Sequence, residues 1–270
     1  MEETQISLKV CTLASGSKGN AIYIEAGDTK VLIDVGLSGK EIRRRLASID
    51  VRSEDLDAIV ISHEHMDHTC GLRVLSNQLK LPVFINHPTF SNIKGKEIKG
   101  DVREFDSGTP FSIKDLSFQP FSVPHDAADP VGFAVRYNGF KIGIVTDLGF
   151  ATKLVIERLK QCDLLILESN HDEEMLKSGP YPWEVKQRIK GRLGHLSNHQ
   201  AGALLEEIHH KDLKHVILFH ISETNNNPQR AAEGVKNLLS NSGYNSMGVS
   251  LASQNTVGRL VSLHPENRWI

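Results

Sequence analysis

Six consecutive residues, His63-Glu64-His65-Met66-Asp67-His68, hold three imidazoles and two carboxylates, and His63, His65, Asp67 and His68 among them are four potential ligands for divalent cations. They follow Ile59-Val60-Ile61, an apolar β-branched run that reads as a buried strand. Alternate side chains of an extended chain point the same way, so His63 and His65 can share one ion. Asp67 and His68, on the turn into the next helical stretch, can face a second ion beside it. This mix of ligands suits Zn²⁺, Mn²⁺ or Fe at a hydrolytic centre. A lone strand-end histidine is more often a hydrogen-bonded edge residue, but chance rarely sets three of them and an aspartate together at one strand end.

The rest of the shell should come from other strand ends, where FSVPH closes on His125, KIGIVTD on Asp147 and KHVILFH on His220. Two divalent ions about 3.5–4 Å apart lower the pKa of a shared water and clamp both oxygens of a displacement. With neutral histidines, two ions, two aspartates and one hydroxide leave such a centre with an excess positive charge, which favours an anionic substrate.

Short apolar runs such as KVCTLAS, NAIYIEAG, TKVLIDVG, LPVFIN, GFAVRYN and CDLLILES have strand character. Helical periodicity appears in EIRRRLASI, GLRVLSNQL, KLVIERLKQ, PWEVKQRIKGR, HQAGALLEEI and PQRAAEGVKNLL, several with a capping Ser, Asp or Asn near the start. Asn138-Gly139 between two strand runs signals a two-residue hairpin. Several strands precede any long helix, and the two types then alternate. The pattern predicts an α/β (α+β) chain of two mixed sheets packed face to face with helices outside, although other α/β layouts share it.

No repeat or Pro/Gly/Ser-rich linker divides the sequence, so residues 1–270 are expected to form one domain. Hydrophobic residues at 39% and charged ones at 24% are those of an ordinary globular protein. The first residues hold no apolar stretch long enough for a signal peptide, and no later run approaches the roughly 20 residues that span a bilayer. A cytoplasmic protein without membrane association is expected, and a homo-oligomer is compatible with the sequence. Cys11, Cys70 and Cys162 lack CxxC spacing and sit in or beside apolar runs, so all three read as buried structural thiols. The remaining single histidines His87, His199, His209, His210, His215 and His264 read as surface residues.

The HxHxDH cluster, followed by one His, one Asp and one His at separate strand ends, resembles the metallo-β-lactamase superfamily in order and spacing along nearly the whole chain. That resemblance implies a four-layer αββα sandwich with the site at the strand ends between the sheets. It would give His63, His65 and His125 to the first metal and Asp67, His68 and His220 to the second. Asp147 would bridge them, and Asp34 of TKVLIDVG would support a ligand histidine from behind. The superfamily includes β-lactamases, thioesterases, lactonases, flavodiiron proteins and nucleases, so the metal motif alone leaves an ester, thioester or lactone hydrolase open. Glu168 in LILESN and His195 in GHLS resemble the ribonuclease Z and β-CASP nuclease branches, although only 26 residues separate them, too few for an inserted β-CASP domain. Asp67, Glu168 and His195 are the expected catalytic residues. A histidine near a scissile phosphate can donate to a non-bridging oxygen or protonate the leaving oxygen, with a glutamate holding its ring.

SGSKGNAIYIE, HEHMDH, TDLG, ESNHDEEML, GPYPWEVKQRI, GHLSNHQA and HISETNN together look like the YycJ/WalJ-like group of bacterial metallo-β-lactamase-fold proteins. Membership would imply an exonuclease acting on double-stranded DNA from the 5′ end, with a role in DNA repair. A ribonuclease of the ribonuclease Z type stays as an alternative. Residues 177–195 carry Lys177, Lys186, Arg188, Lys190 and Arg192 against Glu184 alone, a local +4 in a chain of net charge −2. With Tyr181 and Trp183 the segment can track a phosphate backbone, or be a solvated helix face with two core aromatics. Lys186, Arg188 and Arg192, with Ser17 and Asn20 of the Gly-rich SGSKGN loop, are the candidate substrate contacts.

Overall fold

The computed structural model describes residues 7–93, 97–241 and 247–264. One sheet runs in spatial order through β1 (Leu8–Ala14), β2 (Ala21–Ala26), β3 (Thr29–Ile33), β4 (Ala58–Val60), β5 (Val83–Ile85) and β6 (Val102–Glu104). The other takes β7 (Phe111–Ile113), β8 (Leu116–Ser122), β9 (Val131–Tyr137), β10 (Phe140–Val145), β11 (Leu164–Glu168), β12 (His215–Phe219) and β13 (Gly248–Leu251), and β14 (Val261–Leu263) returns to flank β1. Each sheet is antiparallel over its first strands and parallel afterwards, from β3 to β6 and from β10 to β13. Parallel neighbours need crossovers, which here are largely helical. α1 (Gly39–Ala47), α2 (Met66–Thr69), α3 (Leu72–Leu79) and α4 (His87–Asn92) serve the first sheet. α5 (Lys153–Leu159), α6 (Glu173–Ser178), α7 (Trp183–Lys190), α8 (Asn198–Ile208) and α9 (Pro228–Asn241) serve the second.

The period of two along each strand divides the core into three bodies. Leu164 and Ile166 of β11 face the space between the sheets, with Ile22, Ile24, Ile33, Ile142, Phe118 and Phe133. Leu165 and Leu167 face outward against Val155 and Leu159 of α5 and Leu204 and Leu205 of α8. Leu32 and Ile59 do the same on the first sheet, against Ile42 and Leu46 of α1 and Leu75 of α3. The result is the expected four-layer αββα sandwich. Phe111 stacks between Phe105 at 4.9 Å and Phe118 at 5.1 Å, joining the two sheets.

Local signals hold where their physics is local. Asn138 (φ 46°) and Gly139 (φ 83°) form the two-residue turn between the paired Tyr137 and Phe140. Ser38 caps α1 through Glu41 N, and Ser197 makes a full capping box with Gln200 at α8. No helix among the described residues is long and apolar enough to cross a membrane. Three expectations need correction. Cys70 is exposed, because it sits on the outer turn after α2, whereas Cys11 and Cys162 are buried and burial pushes both thiols up to about 12. His215 is half-buried, its Nε2 2.7 Å from Ser250 Oγ on the neighbouring β13, and His210 lies 3.0 Å from Cys162 O, so neither is a plain surface histidine.

Candidate metal centre

All the expected ligands lie beyond the carboxyl ends of strands that share one edge of the sandwich. Asp34 follows β3 directly and His220 follows β12 directly; Asp147 stands two residues past β10, and His63 and His125 stand three past β4 and β8. Glu168 is the last residue of β11. Asp34 (φ 58°) and His220 (φ 55°) adopt the left-handed conformation, which turns the chain sharply at the strand end at some local cost. The loops interlock behind them: Asn20 N donates to Asp67 O at 2.7 Å and Val35 N to His68 O at 2.8 Å. Gly36 permits this approach, since a Cβ there would stand 1.6 Å from Asp67 O.

Five imidazoles converge, and the acceptor behind each ring fixes its free nitrogen. His65 Nε2 faces Asp126 O at 3.2 Å and His125 Nδ1 faces Gly194 O at 3.1 Å, so those nitrogens must carry the protons. His68 Nδ1 donates to Asp34 Oδ2 at 2.7 Å and His220 Nδ1 to Glu168 Oε1 at 3.0 Å. Ser62 Oγ donates to Asp34 Oδ2, which leaves it to accept from His63 Nδ1 at 3.0 Å. The opposite nitrogens, His63 Nε2, His65 Nδ1, His125 Nε2, His68 Nε2 and His220 Nε2, therefore present lone pairs inward. Lone pairs 3.2–3.3 Å apart among the first three repel unless a cation sits between them. Among the described residues, His220 Nε2 and Asp147 Oδ2 are buried with no hydrogen-bond partner, a costly arrangement that a bound cation would relieve. The donor set thus fits divalent metal ions, with the ring-orienting acceptors such sites require.

Two overlapping pockets emerge: His63, His65 and His125 converge on one point, and Asp67, His68 and His220 on another. Asp147 spans them, with Oδ2 3.1 Å from His68 Nε2 and Oδ1 3.7 Å from His125 Nε2. Burial lowers the pKa of His63 and of His125, and neighbouring imidazoles add to the effect. Burial also works against protonation of His68 and His220, but the carboxylates of Asp147, Asp34, Asp67 and Glu168 prevail, carrying His220 up to about 10 and His68 well above its usual range. Burial likewise opposes ionisation of Asp67 and Asp147, and the adjacent imidazoles outweigh it, holding both below the usual carboxylate range.

Beside the pockets, His195 Nδ1 donates to Glu168 Oε1 at 2.6 Å, and its ring centroid lies 5.1 Å from those of both His125 and His220. Glu168 is fully buried, and its other oxygen accepts from Leu148 N and Leu196 N. Gly149 makes room for this loop, since a Cβ there would meet Arg192 O at 2.1 Å. Burial depresses the His195 pKa, and Glu168 more than reverses it, so the imidazolium is favoured.

The expected substrate contacts separate. Asn20 is fully buried, its side-chain nitrogen 3.1 Å from Asp67 Oδ2 and 3.0 Å from His68 Nε2, so it braces that candidate pair. Ser17 is exposed at the loop tip. Arg188 reaches back to Asp126 Oδ2 at 2.6 Å, tying α7 to the loop that holds His125 and His65. Arg192 stacks over Phe150 at 4.4 Å, and Lys186 Nζ donates to Lys177 O at 2.8 Å. Trp183 is 69% exposed and is not a core aromatic. Two residues that sequence reasoning missed stand at the site. Asp126 follows His125 directly, a signal in itself, and its Oδ1 lies 3.3 Å from His125 Nε2. His171 is 1% exposed, three residues past Glu168 in ESNHD.

Comparison with known proteins bears on this geometry. A family model for the β-lactamase superfamily domain matches residues 29–221, from β3 to just past His220. The chain is 33% identical over 244 residues to exodeoxyribonuclease YycJ of Bacillus anthracis, covering 88% of this chain and 92% of that one. It is 36% identical over 228 residues to exodeoxyribonuclease WalJ of Streptococcus pneumoniae serotype 2 (strain D39 / NCTC 7466), covering 83% and 85%. The crystal structure of the metallo-β-lactamase fold protein YhfI from Bacillus subtilis superposes with a TM-score of 0.72 at 18% identity, over 94% of this chain and 99% of that one. The sandwich, the strand-end ligands and these matches agree that the chain belongs to the metallo-β-lactamase fold superfamily and is a metal-dependent hydrolase.

Proposed function

We propose that the protein is a two-metal phosphodiesterase that degrades nucleic acid, with double-stranded DNA its substrate and 5′ to 3′ exonuclease action its mode. The His195–Glu168 pair carries this reading. A thioester or lactone needs an activated water and a polarised carbonyl, whereas a phosphodiester also gains from a cation at its non-bridging oxygens and a proton at its leaving oxygen. His195, held through Nδ1 and favoured as the imidazolium, offers Nε2 for both duties. The exodeoxyribonuclease names of the two relatives support DNA and exonuclease action.

In this reading His63, His65 and His125 hold one cation, Asp67, His68 and His220 the other, and Asp147 reaches both. Zn²⁺ and Mn²⁺ suit this ligand set best, with Fe also compatible. Bound there, two cations would supply Lewis acidity and make a water acidic enough to ionise near neutral pH. Asp67 Oδ2, 3.5 Å from both His68 Nε2 and His220 Nε2, would orient that water by accepting a hydrogen bond from it. Asp34 fixes His68 directly and His63 through Ser62. Glu168 keeps the His195 ring aligned while its charge stabilises the imidazolium.

The test is to incubate metal-loaded protein with 5′-labelled duplex DNA, duplex RNA and a thioester panel, alongside His195→Ala and with elemental analysis of the freshly isolated protein. Stepwise release of nucleotides from the labelled end, lost in His195→Ala, is the expected result. Rapid thioester turnover with intact DNA and no effect of His195→Ala would overturn the assignment.

A further inference from the structure

Between α6 and α7 lies a cleft of about 470 Å³, within the roughly 300–1,000 Å³ typical of small-ligand sites. α7 buries none of its residues, so Trp183 and Lys190 are open to a partner in this cleft; Lys186 Nζ donates to Lys177 O and keeps two further protons, and Glu173 accepts from Ser197 Oγ through Oε1 and keeps its other oxygen. The lining brings together groups that no single simple ligand would satisfy: the indole of Trp183, the ammonium groups of Lys186 and Lys190, and the carboxylates of Glu173 and Glu174. A bare anion would be repelled by the carboxylates, and a bare cation by the lysines. On its floor lies His171, 1% exposed and with Nδ1 lacking any hydrogen-bond partner among the described residues. Burial holds this ring neutral, with its pKa down at about 4, so it can accept or donate one hydrogen bond without charge.

The cleft adjoins the candidate centre through paired backbone. Asn170 N donates to Leu196 O and Asn198 N to His171 O, both at 2.9 Å, so the chain after Glu168 runs beside the chain after His195. Three residues of extended chain from Glu168 to His171 span about 10 Å. The cleft floor is thus within about 10 Å of Glu168, close enough for a substrate whose phosphate lies at His195 to set a neighbouring unit there.

We propose that this cleft is a nucleotide subsite, in which a base stacks on Trp183, turns an exocyclic amino group to Glu173 and Glu174, and has its phosphate met by Lys186 and Lys190. The proposal rests on the nucleic-acid reading above and adds a preference to it. Carboxylates accept from the amino groups of adenine and cytosine, while thymine offers a carbonyl there. His171 Nδ1 supplies a further polar contact at the floor.

The chain has two tryptophans, so Trp269→Phe leaves Trp183 as the sole indole reporter in the metal-loaded protein. Its fluorescence would be titrated with the 5′-monophosphates of deoxyadenosine, deoxycytidine and thymidine. Saturable quenching by the first two, at least about fivefold tighter than by the third, is expected from a carboxylate-to-amino contact. Glu173→Gln with Glu174→Gln should flatten that preference, and Lys186→Ala with Lys190→Ala should weaken all three. Trp183→Ala should raise KM for an oligonucleotide substrate by roughly tenfold or more, the worth of one stacked base. Quenching by none of the three, or by all alike, would overturn the subsite even if DNA is cut. Selective quenching by a protein that cleaves no phosphodiester would uphold the subsite and remove the nuclease reading instead.

Discussion

The two candidate metal pockets share Asp147 and nearly the same burial, yet they are built from different chemistry. His63, His65 and His125 rest their outer nitrogens on a hydroxyl and two backbone carbonyls. His68 and His220 rest theirs on the carboxylates of Asp34 and Glu168, and Asp67 adds a third negative charge. Behind neutral supports, burial leaves His63 and His125 weakly basic, while charged supports make His68 and His220 hold protons well above neutral pH. The lesson is that the acceptors behind the rings, and not the number of rings, set how anionic each pocket is. The second should hold its cation more strongly once its protons have left, and should compete with protons more openly.

The largest effect expected is that of Asp147→Ala, which removes the one carboxylate reaching both pockets. Elemental analysis should show loss of metal from both, with no measurable turnover; retention of two ions would deny it a bridging role. Next is His195→Ala, which should cost about 10²–10⁴-fold in kcat while leaving the metal content at two. Loss of metal in that variant would make His195 part of a pocket and not a proton donor. Asp34→Ala should weaken metal affinity by about 10–100-fold. The second pocket should suffer more, because His68 leans on Asp34 directly and His63 only through Ser62, and competitive chelation would measure the two stages separately.

The smallest effect is on the pH dependence of the metal-free protein. His220 titrates near 6.5 when unfolded and at about 10 when folded, so the stability it confers is complete below about pH 6.5 and disappears as pH rises through 10. Thermal melts of metal-stripped protein should therefore decline across that window. Metal-loaded protein should not show this decline, and parallel profiles would show that His220 does not exchange a proton for a cation.

Much of this site was legible because its ligands end apolar strand runs. A strand edge is written as a local pattern, and HEHMDH, VPH, VTD and LFH each follow one within three residues. Elements without their own periodicity were not: the three-residue β6, β7 and β14 take their conformation from neighbouring strands, and α6 has one buried residue, Leu176. Asn20 and Ser17 looked equivalent in SGSKGN, but only the fold shows that Asn20 points inward onto Asp67 and Ser17 points out. His171 was invisible for the opposite reason, since it lies past a strand end in a polar run and is buried only because the segment after Leu196 pairs with it. The basic charge of α7 is written in its residues, but the commitment of Arg188 to Asp126 is not.

Glu168 Oε1 receives protons from two rings, His195 and His220, that serve different offices. Any event that alters the charge on one ring changes the pull of the carboxylate on the other. If the second pocket fills as proposed, the charge brought to His220 is felt at Glu168 and through it at His195, which would couple metal binding to the proposed proton donor. Substitutions at His195 and His220 should consequently combine to less than the product of their separate effects.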